Sequence, residues 1–338
     1  MKYKPLIIVL GEPYSVFIEI FLKTYKSTIK SNFNIPILLI GSLRLLEMQM
    51  KFFKYKFKIK SIKENDLKDI KNNNFINILD IDYKFNKPFE KNFKFSNNYI
   101  RECFETSIRL LKKNLALGMI NGPISKSKFL KKRFAGITEY LGFQTKSKNL
   151  SMLIYNEKLS VSPITTHLPL KKVASKLSIS SIQNKIFFLN KFFSNILSKK
   201  PRIGVLGLNP HCETIDKFSE EEKIIIPAIK NLKRKKILVS GPYSADTFFL
   251  KKNLVNYDLV VGMYHDQVLT PSKTLFAFDA INITVGLPFI RVSPDHGPNE
   301  KMVSKGASNP LSLIKSLKFF ENLYANKTKK KFRSKFFN

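Results

Sequence analysis

The stretch Leu6-Ile-Ile-Val-Leu10 is followed by a turn at Gly11-Glu-Pro13 and then by an amphipathic segment. A second apolar run, Ile37-Leu-Leu-Ile-Gly41, is entered through Pro36 and repeats the pattern. Uninterrupted apolar runs that are bounded by Gly, Pro or Asn are typical of strands buried on both faces of a parallel sheet. Further runs of this kind lie at residues 116–120, 203–206, 237–239 and 259–262.

Helix-like segments separate these runs, at residues 99–113, 180–197 and 220–232. Alternation of strands and helices predicts an α/β fold with a mostly parallel sheet. The charged, aromatic and Asn-rich stretch 51–96 departs from the pattern, and we interpret it as irregular strands at a domain periphery. A length of 338 residues suits one large or two medium domains.

The charge, the cysteines and the first apolar runs bear on the partners and the compartment of the protein. The formal net charge is +34, but lysines occur in every segment, and Lys, Asn, Ile and Phe are abundant together, as an A+T-rich genome produces. We therefore expect a solvated basic surface and no nucleic acid partner. Two cysteines without a C-x-x-C pattern suit a reducing cytoplasm. The first apolar runs are too short and too interrupted for a membrane span, so no membrane partner is expected.

Only four histidines occur in the chain, and each lies in a Gly- or Pro-containing segment beside the end of a predicted strand: His167, His211, His265 and His296. Ligands of open α/β sheets collect at the carboxyl ends of the strands. The histidines therefore predict a metal site, and neutral imidazoles suit a divalent ion such as Zn²⁺. The alternative is that each histidine is a hydrogen-bonded loop residue.

Two further segments carry groups that suit an anion. Lys273, Asn282 and Arg291 are spaced nine residues apart, and together they would make a clamp for a phosphate or a carboxylate. The turn Asn121-Gly-Pro-Ile-Ser-Lys126 offers backbone amides and a lysine, although such a turn is more often a simple helix start. No G-x-G-x-x-G pattern follows the first strand, so an ordinary dinucleotide site is not predicted.

Taken in chain order, these motifs resemble the 4-hydroxythreonine-4-phosphate dehydrogenase family of pyridoxal phosphate biosynthesis. The matching segments are residues 11–13, 121–126, 136–141, 166–170, 207–211, 241–247, 263–267, 282–291 and 295–297. The resemblance implies a fold like that of isocitrate and isopropylmalate dehydrogenases, with two α/β/α domains and an interdomain cleft. The expected domains are 1–125 with 275–338, and 126–274 with the metal ligands. It also implies a homodimer with a shared active site.

The resemblance also implies roles for individual residues. The ligands of a divalent metal ion (Zn, Mg or Co) would be His167, His211 and His265. The substrate would contact Thr138, Lys273, Asn282 and Arg291. His296 belongs to a family motif but is not assigned to the metal. The cofactor would be NAD or NADP, and no residues are assigned to it. The general base is left open among Asp246, Asp266 and Lys126. Asp266 could also orient the ring of His265.

The reaction that the resemblance implies is the oxidation, with decarboxylation, of 4-phosphooxy-L-threonine to 3-amino-2-oxopropyl phosphate. The chain departs from the family pattern at residues 14–19, at Ile137, where the family has a histidine, and at residues 212–216. The Ile137 replacement favours one alternative, a paralogous dehydrogenase of another phosphorylated four-carbon hydroxy acid. A nucleic-acid-binding protein on the same fold and an inactive member of the family are the remaining alternatives.

Overall fold

The computed structural model describes residues 4–70, 72–130, 133–213, 218–294 and 297–336. His296, which the sequence analysis sets aside from the metal, lies outside the described residues. The strands in chain order are β1 (Leu6–Val9), β2 (Ile37–Gly41), β3 (Ile59–Ser61), β4 (Ile76–Asp80), β5 (Met119–Asn121), β6 (Ser151–Tyr155), β7 (Ser160–Thr165), β8 (Ile203–Leu206), β9 (Val239–Tyr243), β10 (Leu259–Tyr264), β11 (Ile281–Val285) and β12 (Arg291–Pro294).

The α-helices lie between these strands and after the last one. They are α1 (Phe17–Thr24), α2 (Lys30–Asn32), α3 (Leu43–Phe52), α4 (Phe93–Lys112), α5 (Lys126–Phe129), α6 (Ile137–Thr145), α7 (Ile179–Asn195), α8 (Ile226–Arg234), α9 (Ala245–Phe248), α10 (Lys251–Leu254), α11 (His265–Phe276) and α12 (Leu311–Phe336). A π-helical turn, Glu221–Ile225, leads into α8, and a 3-10 turn, Pro210–Cys212, follows β8. The predicted alternation of strands and helices is confirmed.

The chain divides into two compact units, Met1–Tyr140 with Pro288–Asn338, and Leu141–Leu287. The chain thus passes from one unit to the other after residues 140 and 287. The boundaries expected from the sequence lie after residues 125 and 274. The first unit contains strands in the order β3-β4-β2-β1-β5-β12. Every pairing within this series is parallel, as the uninterrupted apolar runs predict.

Residues 51–96 only partly match the interpretation as peripheral strands. The short strand β3 does lie at the end of the strand order and is largely exposed. The next strand, β4, is buried over its first four residues and pairs with both β2 and β3. The interpretation was therefore wrong for β4, because its alternating Asn and Ile residues obscured a strand covered on both faces.

The second unit contains strands in the order β11-β6-β7-β10-β8-β9. The strands β7, β10, β8 and β9 pair in parallel, whereas β11 with β6 and β6 with β7 pair antiparallel. Apolar side chains of these strands and of the helices beside them form a core that includes Val161, Leu206, Phe248, Val260 and Val268. Because β7, β10 and β8 are parallel neighbours, their carboxyl ends lie along one edge of the sheet.

Within the part of the chain that the structure describes, no helix is long and apolar enough to cross a membrane.

Candidate active site

Three of the four histidines follow the carboxyl ends of β7, β8 and β10. His167 lies two residues after β7, His265 is the first residue of α11 directly after β10, and His211 lies in the turn after β8. Since β10 is the middle strand of the three, His265 follows the strand that lies between those leading to His167 and His211. The edge at which the sequence analysis expected a ligand is therefore the edge that carries these imidazoles.

His167 and His265 form a close pair. Their ring centroids are 6.3 Å apart, and the ring planes are inclined by 36°. Nδ1 of His265 lies 2.8 Å from Oδ1 of Asp266, which supports the orienting role proposed for Asp266. When Nδ1–H donates to that carboxylate, the lone pair of Nε2 is left available to a metal ion.

His211 has an unusual backbone. Its φ and ψ are 56° and 10°, and the following residue, Cys212, has a φ of 61°. Each non-glycine residue in this left-handed region costs about 1–3 kcal/mol, so surrounding contacts must hold the turn in place. The His211 side chain is 74% exposed, and its Nδ1 lies 3.8 Å from Oδ2 of Asp246, which is too far for a hydrogen bond.

The chemistry of these side chains fits a divalent metal ion, but the three histidines are not gathered as a complete ligand set. Among the described residues, no group of three or more His, Cys, Asp and Glu side chains could hold a metal ion. The His167–His265 pair provides two neighbouring imidazoles, the donors that a borderline ion such as Zn²⁺ accepts. The assignment of His211 as third ligand stays a prediction.

A buried carboxylate, which the sequence analysis missed, supports the turn that carries His211. Oε1 of Glu221 accepts hydrogen bonds from the backbone N–H groups of Leu208 (2.7 Å) and Asn209 (2.9 Å). Its Oε2 accepts one from Nδ2 of Asn209 (2.8 Å). Burial acts to raise the pKa of Glu221, but these hydrogen bonds outweigh it and hold the pKa below its usual value. The available signal was the acidic run Glu220-Glu221-Glu222 in a lysine-rich chain.

Gln267 connects the segments that lead to His211 and His265, and it too was missed. Its Oε1 accepts the N–H of Met263 (2.7 Å), and its Nε2 donates to the carbonyl oxygen of Gly207 (2.7 Å). On the other side, Oγ1 of Thr165 donates to the carbonyl oxygen of Met263 (2.8 Å). These hydrogen bonds tie together the ends of β7, β8 and β10.

The three candidates for the general base have different surroundings. Asp246 accepts hydrogen bonds from Ser244 Oγ and from the N–H of Thr247, and the Ser244 bond is the main reason that its pKa is lowered. A lowered pKa makes Asp246 a weak base. Asp266 is bonded to His265, and Lys126 is the exposed first residue of α5. The identity of the base stays a prediction.

The residues expected at the substrate lie in both units. Lys273 is on the exposed side of α11. Asn282 is in β11, and its buried Oδ1 has no hydrogen-bond partner within the described part of the chain. Both belong to the unit Leu141–Leu287. Thr138 is the second residue of α6, and Arg291 is the first residue of β12; these two belong to the other unit.

Arg291 is fully buried, and its Nε donates to Oδ1 of Asn121 at 2.6 Å. Desolvation lowers the pKa of Arg291 to about 9. The contact joins Arg291 to the first residue of the turn 121–126, so two of the segments predicted to bind an anion meet within one unit. A cation that has lost its water is strongly attracted to an anion that enters its surroundings.

Glu12 is a buried carboxyl in the quoted motif Gly11-Glu-Pro13, for which the sequence analysis assigned no role. Its Oε2 is buried and has no hydrogen-bond partner among the residues that the structure describes. Burial raises the pKa of Glu12 to about 7, although backbone N–H groups of Tyr14 and Ser125 bond to the carboxylate and lower it in part. Glu12 thus lies at the carboxyl end of β1, in a unit that also contains Arg291, and changes its charge near neutral pH.

Comparison with protein families identifies one match that covers most of the chain. The model of the pyridoxal phosphate biosynthetic protein PdxA matches residues 33–320. The chain is 36% identical over 318 residues to the 4-hydroxythreonine-4-phosphate dehydrogenase of Sulfurihydrogenibium sp. (strain YO3AOP1). The aligned residues cover 92% of this chain and 96% of that protein.

A second kind of relative carries a different substrate in its name. The chain is 39% identical over 186 residues to the D-threonate 4-phosphate dehydrogenase of Salmonella typhimurium, with 55% of this chain and 57% of that protein covered. Among solved structures, the 4-hydroxythreonine-4-phosphate dehydrogenase of Klebsiella pneumoniae superimposes with a TM-score of 0.82 at 27% identity, over 95% of this chain and 99% of that chain.

Proposed function

This chain belongs to the family of the pyridoxal phosphate biosynthetic protein PdxA, and from that membership we propose that it is a 4-hydroxythreonine-4-phosphate dehydrogenase. The reaction is the oxidation of 4-phosphooxy-L-threonine, with decarboxylation, to 3-amino-2-oxopropyl phosphate. Oxidation of the C3 alcohol to a ketone removes a hydride and a proton. The β-keto acid that results then loses CO₂, the electron pair of the broken carbon–carbon bond forms an enolate, and the enolate takes up a proton.

The observation that carries this proposal is the position of the histidines. The family match includes His167, His211 and His265, and all three follow neighbouring parallel strands at one sheet edge. His167 and His265 are neighbours, as two ligands of one metal ion must be, and the contact with Asp266 can orient the ring of His265. We assign all three histidines as ligands of a divalent ion, which is Zn, Mg or Co.

When bound, the metal ion would stabilise negative charge on the substrate oxygen, and NAD or NADP would accept the hydride. The protein's own part is to hold the substrate. From the family motifs we propose that Lys273, which is exposed on α11, and Asn282 in β11 contact the substrate. Thr138 and Arg291 complete the substrate contacts that we propose from the family motifs. Binding through several such groups fixes the reacting carbon and lowers the entropic barrier.

The experiment is an assay of the full chain with 4-phosphooxy-L-threonine, a divalent metal ion, and NAD or NADP in parallel. We expect turnover that a chelator abolishes and that added metal restores. The His211→Ala variant should lose both the bound metal and the turnover. Full activity in metal-free His211→Ala protein would overturn the ligand assignment, and no turnover with 4-phosphooxy-L-threonine would overturn the substrate.

The second candidate substrate is D-threonate 4-phosphate. Two observations favour it: the relative of that name in Salmonella typhimurium and the isoleucine at position 137, since the apolar side chain of Ile137 cannot replace a histidine that contacts the substrate. The same assay with D-threonate 4-phosphate decides between the two. A larger kcat/KM for D-threonate 4-phosphate would assign this chain to that activity.

The assembly that goes with this function is a homodimer with a shared active site. Large apolar side chains that remain about two-thirds exposed, among them Phe143 (65%), Leu170 (68%) and Phe218 (68%), support burial by a second copy. The arrangement of two α/β/α domains with an interdomain cleft, as in isocitrate and isopropylmalate dehydrogenases, belongs to the same proposal. We propose no nucleic acid partner for the basic surface.

A further inference from the structure

Between described residues, two backbone hydrogen bonds close the turn that carries His211. Within the turn, the N–H of Cys212 donates to the carbonyl oxygen of Asn209 (3.1 Å), and the N–H of Glu213 donates to that of Pro210 (3.1 Å). The same turn contains two successive non-glycine residues in the left-handed region, His211 and Cys212, whose backbone conformation is unfavourable. Such a turn persists only where contacts from outside hold it.

Those contacts come from Glu221, which begins the π-helical turn before α8 and is 1% exposed. One of its oxygens accepts both backbone N–H groups at the start of the turn, those of Leu208 and Asn209, and the other accepts Nδ2 of Asn209. Oε2 of Glu220 also accepts Nδ2 of Asn209, at 2.8 Å. Among the described residues, each acceptor bonded to the N–H and NH₂ groups of Asn209 is thus a carboxylate oxygen.

Gln267 holds Gly207, the residue directly before the two whose backbone N–H groups bond to the carboxylate. Its bond to the carbonyl oxygen of Gly207 fixes the residue directly after β8, and its bond to Met263 N–H fixes the strand that leads to His265. The side chain of Cys212 folds back on Gly207, where an added Cβ would lie 2.6 Å from its sulfur. The backbone from Gly207 to Cys212 therefore has little freedom to move while both polar side chains remain bonded.

We infer that Glu221 is a positioning residue for the metal site: its buried carboxylate holds the turn 207–212 so that His211 can complete the ligand set begun by His167 and His265. The inference rests on the proposed function, because it requires that His211 binds the metal. Glu221 itself does not contact the metal or the substrate. Its role is to offset the backbone cost of the left-handed turn before the ion arrives.

Replacement by glutamine tests the inference with almost no change of volume. A glutamine at position 221 can accept both backbone N–H groups through its oxygen, but its NH₂ group then faces the NH₂ group of Asn209. Rotation of the Asn209 amide would relieve this clash only by turning its oxygen toward the carboxylate of Glu220. Glu221→Gln therefore leaves one of these contacts repulsive, and the turn loosens.

The measurement is the affinity of the chelator-treated full chain for Co²⁺, by calorimetric titration and by the visible absorption of the bound ion. We expect Glu221→Gln to weaken Co²⁺ binding by about 10–100-fold, the usual effect of losing a group that orients a metal ligand. The matched control is Glu222→Gln, which removes the same charge from the adjacent exposed residue and should bind Co²⁺ as the wild type does.

The outcomes separate this inference from the function on which it rests. If wild-type protein and His211→Ala bind Co²⁺ equally, or neither binds it, the proposed metal site is wrong. If His211→Ala loses Co²⁺ but folded Glu221→Gln keeps the wild-type affinity, the positioning role is wrong. Should Glu221→Gln fail to fold, Asn209→Ala removes the amide that bonds to Glu220 and Glu221 and must weaken binding for the inference to hold.

Discussion

The ion pairs of Asp258 give a quantitative prediction for the unit that carries the histidines. Asp258 precedes β10, and Arg202 precedes β8, so their contact lies at the amino ends of these strands, opposite the histidines. Asp258 Oδ2 accepts the backbone N–H (2.8 Å) and Nε (3.2 Å) of Arg202, and Oδ1 lies 2.8 Å from Lys199 Nζ. Only 7% of the Asp258 side chain is exposed.

Burial acts to raise the pKa of Asp258, but hydrogen bonds from Arg202 and Lys199 outweigh it and lower the pKa from 3.8 to about 2. One pKa unit corresponds to about 1.4 kcal/mol, so the ionised carboxylate contributes about 2 kcal/mol to folding at neutral pH. Because the folded-state pKa is below the unfolded value, this contribution is complete above pH 4 or so and is lost as the pH falls through about 2.

The variant Asp258→Asn should therefore lower the free energy of unfolding by about 2 kcal/mol at pH 7 and by roughly half as much at pH 3. The assay is urea unfolding of both proteins at each pH. Asp66→Asn, which removes an exposed carboxylate, is the control and should change stability by less than about 0.5 kcal/mol. Equal differences at pH 7 and pH 3, or no difference at pH 7, would refute the role of the Asp258 ion pairs.

Three further predictions concern the other unit. Burial raises the pKa of Glu12 from 4.5 to about 7, so the free energy of unfolding of the wild type should fall as the pH rises through that interval. Glu12→Gln should remove up to about 3 kcal/mol of this pH dependence, measured by urea unfolding from about pH 4 to 8. Parallel pH profiles of the two proteins would contradict the prediction. Gly11→Ala should lower the free energy of unfolding by more than about 1 kcal/mol, because Gly11 has a φ of 73° and an added Cβ would lie 2.6 Å from the carbonyl oxygen of Pro123. An unchanged urea midpoint would exclude this steric cost. Ile137→His should raise the kcat/KM for 4-phosphooxy-L-threonine relative to that for D-threonate 4-phosphate by about tenfold, because the imidazole adds one hydrogen bond to the substrate. An unchanged ratio would show that position 137 does not select the substrate.

Part of the fold could be predicted because apolar runs report burial directly. Residues 6–10, 37–41 and 259–262 each contain a strand that is buried in the structure. The antiparallel strands β6 and β11 were not predicted as a pair, because pairing depends on partners distant in the chain. Their direction is a property of the folded sheet and leaves little mark on either segment.

Part of the candidate site could be predicted for a related reason. Histidine is rare in this chain, so the residue type and its place beside a strand end singled out four histidines, and the family resemblance selected His167, His211 and His265 among them. For Glu221 the sequence offers only the acidic run 220–222, and for Gln267 it offers no comparable signal. Their roles depend on backbone groups of Leu208, Asn209, Met263 and Gly207 that approach them only in the folded unit.

The sequence by itself determined the α/β class, the family resemblance and the imidazoles on which the proposed chemistry depends. It could do so because burial pattern and residue type are properties of short segments. Only the tertiary structure decided which strands are neighbours, that β10 lies between β7 and β8, and that Glu221 supports the turn of His211. Those facts depend on contacts between residues far apart in the chain, and such contacts exist only once the backbone hydrogen bonds of the sheet have formed.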